Sequence, residues 1–131
     1  MTKALNILLL LFLSSAISLA QNVRFEASVD TRKIIQNSTV NVEFTIHNAE
    51  GQNFTPPKFN GLRIVGGPNQ STQMSFINGR NSRKKSYGYV LMASKPGKFR
   101  IDAATIEVDS KKYRTKPITI EVVKADPKSM Q

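Results

Sequence analysis

From Thr39 to His47 the chain reads Thr-Val-Asn-Val-Glu-Phe-Thr-Ile-His. Every second residue is apolar, so an extended backbone gathers Val40, Val42, Phe44 and Ile46 on one side and the polar residues on the other. A helix would scatter the same four around its axis. The pattern predicts a strand with one dry and one wet face, and the dry face demands a second layer to cover it. Val23, Phe25, Ala27 and Val29 repeat the alternation, as do Tyr87, Tyr89 and Leu91, and Ile118, Ile120 and Val122.

Composition supports strands once the first twenty residues are set aside. Lys3 gives a positive start, Ala4 to Leu13 is apolar apart from Asn6, and the small-residue stretch from Ser14 ends in Ser18-Leu19-Ala20. That order reads as a cleavable secretory signal peptide, residues 1–20. The apolar run is short for an anchor, because a spanning helix needs about 20 mostly apolar residues. No Cys follows it, so no lipid anchor is expected. Removing 20 of the 131 residues leaves 111, with a formal charge of +9 in place of +10. Seven of the nine Leu leave with the signal, and only Leu62 and Leu91 remain, against nine Ile and nine Val. Side chains that are stiff at the first torsion suit pleated strands.

The remaining chain is punctuated every ten or so residues by turn signals. Asn78-Gly79 between two runs is the strongest short hairpin signal. Lys95-Pro96-Gly97-Lys98 and Asp109-Ser110-Lys111-Lys112 read as turns. Leu62 to Val65 reads as a short strand stopped by Gly66-Gly67-Pro68, in a turn or bulge. Phe54-Thr55-Pro56-Pro57-Lys58-Phe59 reads as a crossing between sheets, with Phe54 and Phe59 packing at its ends. Inward parity slips at Ala103-Ala104, which predicts a bulge or a change of sheet. The expectation is an all-β, immunoglobulin-like β-sandwich of about seven or eight strands over residues 21–124, with a polar tail at 125–131.

Residues that carry chemistry are sparse. There is no Cys, and the single His47 cannot build a multi-histidine metal centre. His47 reads as an exposed polar residue at a strand end. Glu43 shares its face, two strand repeats away and out of hydrogen-bond reach. No calcium loop, nucleophile elbow or phosphate loop is present. The triplets at Asn37, Asn53 and Asn69 matter only in a glycosylating system. No enzyme activity and no cofactor are expected.

Charge is the exception. Residues 51–101 contain nine Lys and Arg and no acid. Residues 21–50 carry −1 and 102–131 carry +1, so the whole excess lies in the middle. The Asn78-Gly79 hairpin concentrates it. A two-residue loop sets Ile77 opposite Arg80, Phe76 opposite Asn81 and Met74 opposite Arg83. Extending the inward parity of Tyr87 and Tyr89 brings Lys85 and Arg83 to the core side, where unpaired charge is not tolerated. The hairpin is therefore expected to project beyond the sandwich. Met74, Phe76, Arg80, Arg83, Lys84 and Lys85 are the candidate contact residues. The plainer reading is a solvated arm whose charges discourage edge pairing.

One long run resembles a known family. It comprises Phe54-Thr-Pro-Pro-Lys-Phe59, Leu62-Arg-Ile-Val-Gly-Gly-Pro-Asn-Gln-Ser71, Met74-Ser-Phe-Ile-Asn-Gly79 and Tyr87-Gly-Tyr-Val-Leu91. It continues through Pro96-Gly-Lys-Phe-Arg-Ile101, Ala104-Thr-Ile-Glu-Val108 and Lys116-Pro-Ile-Thr-Ile-Glu-Val122. Over about residues 22–124 it resembles the N-terminal domain of the BatD family, the bacterial oxygen tolerance, or aerotolerance, proteins. The resemblance implies an exported envelope protein of the periplasm or the outer face of the inner membrane, with tandem immunoglobulin-like domains and a C-terminal spanning helix. It implies partner Bat proteins with von Willebrand A domains and a MoxR-type ATPase, and it brings no catalytic residue. This sequence departs from that pattern by stopping after the first domain without a C-terminal apolar run, as a fragment or a truncated relative would. Membrane anchoring is therefore not carried over.

Two functions follow as expectations. One is a non-catalytic protein-interaction domain of the envelope, acting with other Bat components. The other is a polyanion- or glycan-binding module drawn to anionic lipid or glycan surfaces. Nucleic acid is not an expected partner, because the chain is read as exported and its basic stretch has no aromatic stacking array.

Overall fold

A computed structural model describes residues 22–126. The predicted signal peptide and the end of the polar tail lie outside the described residues. Within them the strands are β1 (Arg24–Val29), β2 (Lys33–Ile35), β3 (Thr39–His47), β4 (Gln52–Thr55) and β5 (Arg63–Ile77). They continue as β6 (Arg80–Met92), β7 (Gly97–Ile101), β8 (Thr105–Val108), β9 (Lys111–Arg114) and β10 (Ile118–Val123). The fold is all-β, with ten strands where about seven or eight were expected. The extra ones are β2, β4 and β9, three or four residues each and too short to show a period.

One layer is a four-stranded antiparallel sheet in the order β1-β3-β6-β5. Read as A, B, E and D, this is the order of the four-stranded sheet of constant-type immunoglobulin domains. The other layer holds β2-β10-β7 and β4-β8-β9. These two three-stranded sheets share one hairpin. Ile101 faces Ile118 in the first and Thr105 faces Arg114 in the second, and the same register runs through both. Between them the Thr115 N–H donates to the Ala104 carbonyl at 3.0 Å, and the Ala104 N–H donates to Thr115 Oγ1 at 2.9 Å. The hairpin therefore changes sheet at 102–104 and 115–117 without losing register. The parity slip at Ala103-Ala104 is this change. The turn that closes the hairpin is Asp109-Ser110, both at positive φ (50° and 65°).

Strand β2 runs parallel to β10 while β1 pairs with β3, so the first stretch of chain serves both layers. Phe44, Ile46, Leu91, Ile101, Ile106 and Ile120 are fully buried between the layers. Burying each such side chain contributes about 1.5–3 kcal/mol. Phe54 and Phe59 both pack inward as expected, against Tyr87 and Tyr89.

One expectation is corrected. Gly66-Gly67-Pro68 does not stop a strand, because β5 runs through it to Ile77. Two register shifts absorb the irregularity, between Ile64 and Gly66 and between Gly66 and Asn69. An edge strand tolerates this because only one side must keep its ladder.

Candidate functional site

Asn78 (φ 53°) and Gly79 (φ 75°) both take left-handed backbone, the conformation that the favoured two-residue hairpin turn requires. The register across the hairpin is the expected one: Ile77 faces Arg80, Phe76 faces Asn81 and Met74 faces Arg83. Strand β3 supports β6 only as far as the rungs Ile46–Lys85 and His47–Lys84. Past that point β5 and β6 continue as a two-stranded arm, met just beyond the end of β3 by the Asn48 N–H, which donates to the Arg83 carbonyl at 2.8 Å.

The arm sorts the candidate residues by face. Met74, Phe76, Arg83 and Lys85 share the face that continues from Tyr87 and Tyr89. Arg80 and Lys84 lie on the opposite face beside Ile77. Met74 is 75% exposed, Phe76 72% and Ile77 66%, so apolar and basic groups sit side by side in water. Lys85 lies at the root of the arm with Nζ 5.4 Å from the centre of the Tyr87 ring. It is half-buried there, its ammonium over the face of the ring.

Two participants were missed in the sequence. Glu50 Oε1 reaches Arg83 Nη1 at 3.2 Å. Glu50 is the last acid before the acid-free stretch, but it is distant in sequence from Arg83 and no local pattern links them. Ile77, opposite Arg80, adds an exposed apolar side chain on the arm's other face and was not among the candidate contact residues. Beneath the arm, Asn48, Ala49 and Glu50 face Met74, Phe76 and Arg83 across an open cleft of about 490 Å³. Among the described residues, Arg80, Lys84 and Lys85 make no ion pair.

His47 sits on the wet face of the four-stranded sheet. Its Nε2 is 3.4 Å from Glu26 Oε2, and Arg24 Nε holds the other oxygen of that carboxylate at 2.7 Å. The neighbour is on the adjacent strand β1, not Glu43 on its own. Buried hydroxyls are also satisfied, as where Thr45 Oγ1 meets Ser86 Oγ at 2.9 Å.

The family model described as the BatD DUF11 like domain matches residues 27–122. The chain belongs to the BatD family. The match runs from β1 through β10 and includes the arm, so this is a BatD-related envelope domain built as one sandwich. No curated protein matches the chain. Within the BatD domain, the Gly67-Pro-Asn-Gln-Ser71 segment lies in β5 and Tyr87 and Tyr89 lie in β6. The most distinctive parts of the resemblance therefore form the base of the arm rather than its charged end. No helix among the described residues is long and apolar enough to cross a membrane.

Proposed function

We propose that this BatD domain is a non-catalytic module, exported to the periplasm or the outer face of the inner membrane, that binds other envelope proteins within a Bat complex. The observation that carries the reading is the exposure of Met74 and Phe76 beside Arg83 on an arm that no third strand supports. Exposed apolar side chains rimmed by Arg and Lys are the composition of contact surfaces rather than of idle ones. Partner Bat proteins with von Willebrand A domains are the binding partners this reading names, by family resemblance.

The test uses such a purified partner immobilised on a sensor. Substituting Arg80, Arg83, Lys84 and Lys85 together by Ser is expected to weaken capture, and unchanged capture removes the arm from the interface. A second reading, polyanion or glycan binding, is favoured by the absence of ion pairs at Arg80, Lys84 and Lys85 among the described residues. It requires late elution from heparin or anionic vesicles with a steep dependence on salt. Elution at low salt counts against it.

A further inference from the structure

Strand β5 is the end strand of its sheet and, at fifteen residues, the longest in the described fold. Its first part is irregular, but from Asn69 to Ile77 its register against β6 is unbroken. That segment, Asn-Gln-Ser-Thr-Gln-Met-Ser-Phe-Ile, has no charge and no Pro. Folded proteins ordinarily blunt such an edge with charges, Pro, bulges or shortness. The other edges here obey that rule. Strand β1 carries Arg24 and Glu26, β7 carries Lys98 and Arg100, β9 carries Lys111, Lys112 and Arg114, and β2 and β4 are three and four residues long.

The direction of the free backbone groups follows from the hairpin. In a two-residue hairpin the closing pair, here Ile77 and Arg80, exchanges both backbone hydrogen bonds, and the next pair does not. Gln70, Thr72, Met74 and Phe76 therefore turn their N–H and C=O groups away from β6. An independent contact agrees. Arg83, opposite Met74, sends its carbonyl to the Asn48 N–H on its other side, as a member of a non-bonded pair must.

We propose that this edge receives an extended, acidic segment of a partner protein as an added strand. The proposal rests on the reading of the arm as a protein contact and names how that contact is made. Backbone bonds to Gln70, Thr72, Met74 and Phe76 give the affinity of strand addition, and side chains set the choice of segment. An added strand lies about 4.8 Å from β5 and about 10 Å from β6. Across that gap stand the cations of β6, of which Arg83 is answered by Glu50 while Arg80, Lys84 and Lys85 make no ion pair among the described residues. Carboxylates on the added strand answer them, while alternate apolar side chains cover Met74 and Phe76. A second copy of this chain pairing edge to edge would instead bring two basic arms together, which like-charge repulsion opposes.

The test is amide hydrogen exchange by NMR on the intact domain, with a short capped peptide alternating valine and glutamate. Slowed exchange at Gln70, Thr72, Met74 and Phe76 is expected, and the same peptide with lysine in place of glutamate is expected to give none. Thr72→Pro deletes one outward N–H and no cation, so it should abolish both the protection and the capture of a von Willebrand A-domain Bat protein. The wild-type exchange pattern carries the test even where that variant folds poorly. Peptide binding without protection of these amides overturns strand addition and leaves the arm as a contact. Equal protection by the lysine peptide, or no binding of either peptide, overturns the acidic occupant. Protection in a self-associated dimer without peptide makes a second copy the occupant and also overturns it. Failure of the broader reading is separate, and shows as capture that survives the fourfold serine substitution.

Discussion

Phe54 stacks face to face on Tyr87, with ring centres 4.0 Å apart and planes 5° from parallel. The two rings belong to opposite layers, Phe54 to β4 and Tyr87 to β6 at the root of the arm. Phe54 also meets Phe25 edge-on at 6.3 Å and Phe44 at 5.9 Å. It is thus the ring that closes the sandwich beneath the arm. Phe54→Ala is expected to destabilise the domain by about 2 kcal/mol, below the range for a fully buried Phe because this ring is only half-buried. Urea unfolding followed by circular dichroism measures it. A change near zero would mean that the stack contributes nothing to joining the layers.

Thr115 is buried at the point where the shared hairpin changes sheet, and its hydroxyl is the acceptor for the Ala104 N–H. Thr115→Val keeps the shape and removes that acceptor, leaving a buried amide without a partner. The expected cost is about 1–3 kcal/mol. Thr115→Ser keeps the hydroxyl and should recover most of it. Faster exchange of the Ala104 amide in the Val variant alone would locate the effect. Equal stability of the two variants would show that the hydroxyl is not what holds the junction.

The residues that were legible from the sequence are those whose neighbours in space are also their neighbours in pattern. Val40 to Ile46 needed only period two, and Asn78-Gly79 set the register of the whole arm. The slip at Ala103-Ala104 was visible because it breaks a period. Lys33–Ile35, Gln52–Thr55 and Lys111–Arg114 were not read as strands, since three or four residues cannot establish alternation and their pairing is decided by distant partners. Gly66-Gly67-Pro68 looked like an end because local conformation favours turns there, while the ladder to β6 carries the strand across. At the candidate site the same division holds. The arm and its cations follow from register and composition, whereas the Glu50–Arg83 pair depends on the chain between β3 and β4 folding back beneath the hairpin.

Gly67 and Gly79 both have positive φ, but different surroundings. At Gly67 (φ 94°) an added Cβ would run into the carbonyl oxygen of Gly88 on the neighbouring strand, and backbone cannot step aside. At Gly79 (φ 75°) nothing lies within 4 Å of the same atom. Gly67→Ala is therefore expected to cost more than about 2 kcal/mol, from backbone strain and collision together. Gly79→Ala should cost only the strain of a left-handed residue, about 1–2 kcal/mol. Thermal unfolding of the two variants side by side gives the ranking. The reverse order would mean that β5 does not press against β6 at Gly88 as described.

Tyr89 faces the core against Phe44 and Phe59. Burial, and after it the neighbouring Tyr87, push its hydroxyl above the ordinary value of 10.0. In the unfolded chain Tyr89 loses its proton near that value, while in the folded chain it holds on. Above pH 10.0 the unfolded state therefore binds fewer protons than the folded one, and stability falls with rising pH. The contribution is fully present below pH 10.0 and is lost as pH rises through the higher folded value. The quantity to follow is the difference between the wild type and Tyr89→Phe, which isolates the one hydroxyl. That difference in unfolding free energy should stay level up to pH 10.0 and then move in favour of the Phe variant. A level difference through the alkaline range would show that the Tyr89 hydroxyl ionises as easily in the fold as in water.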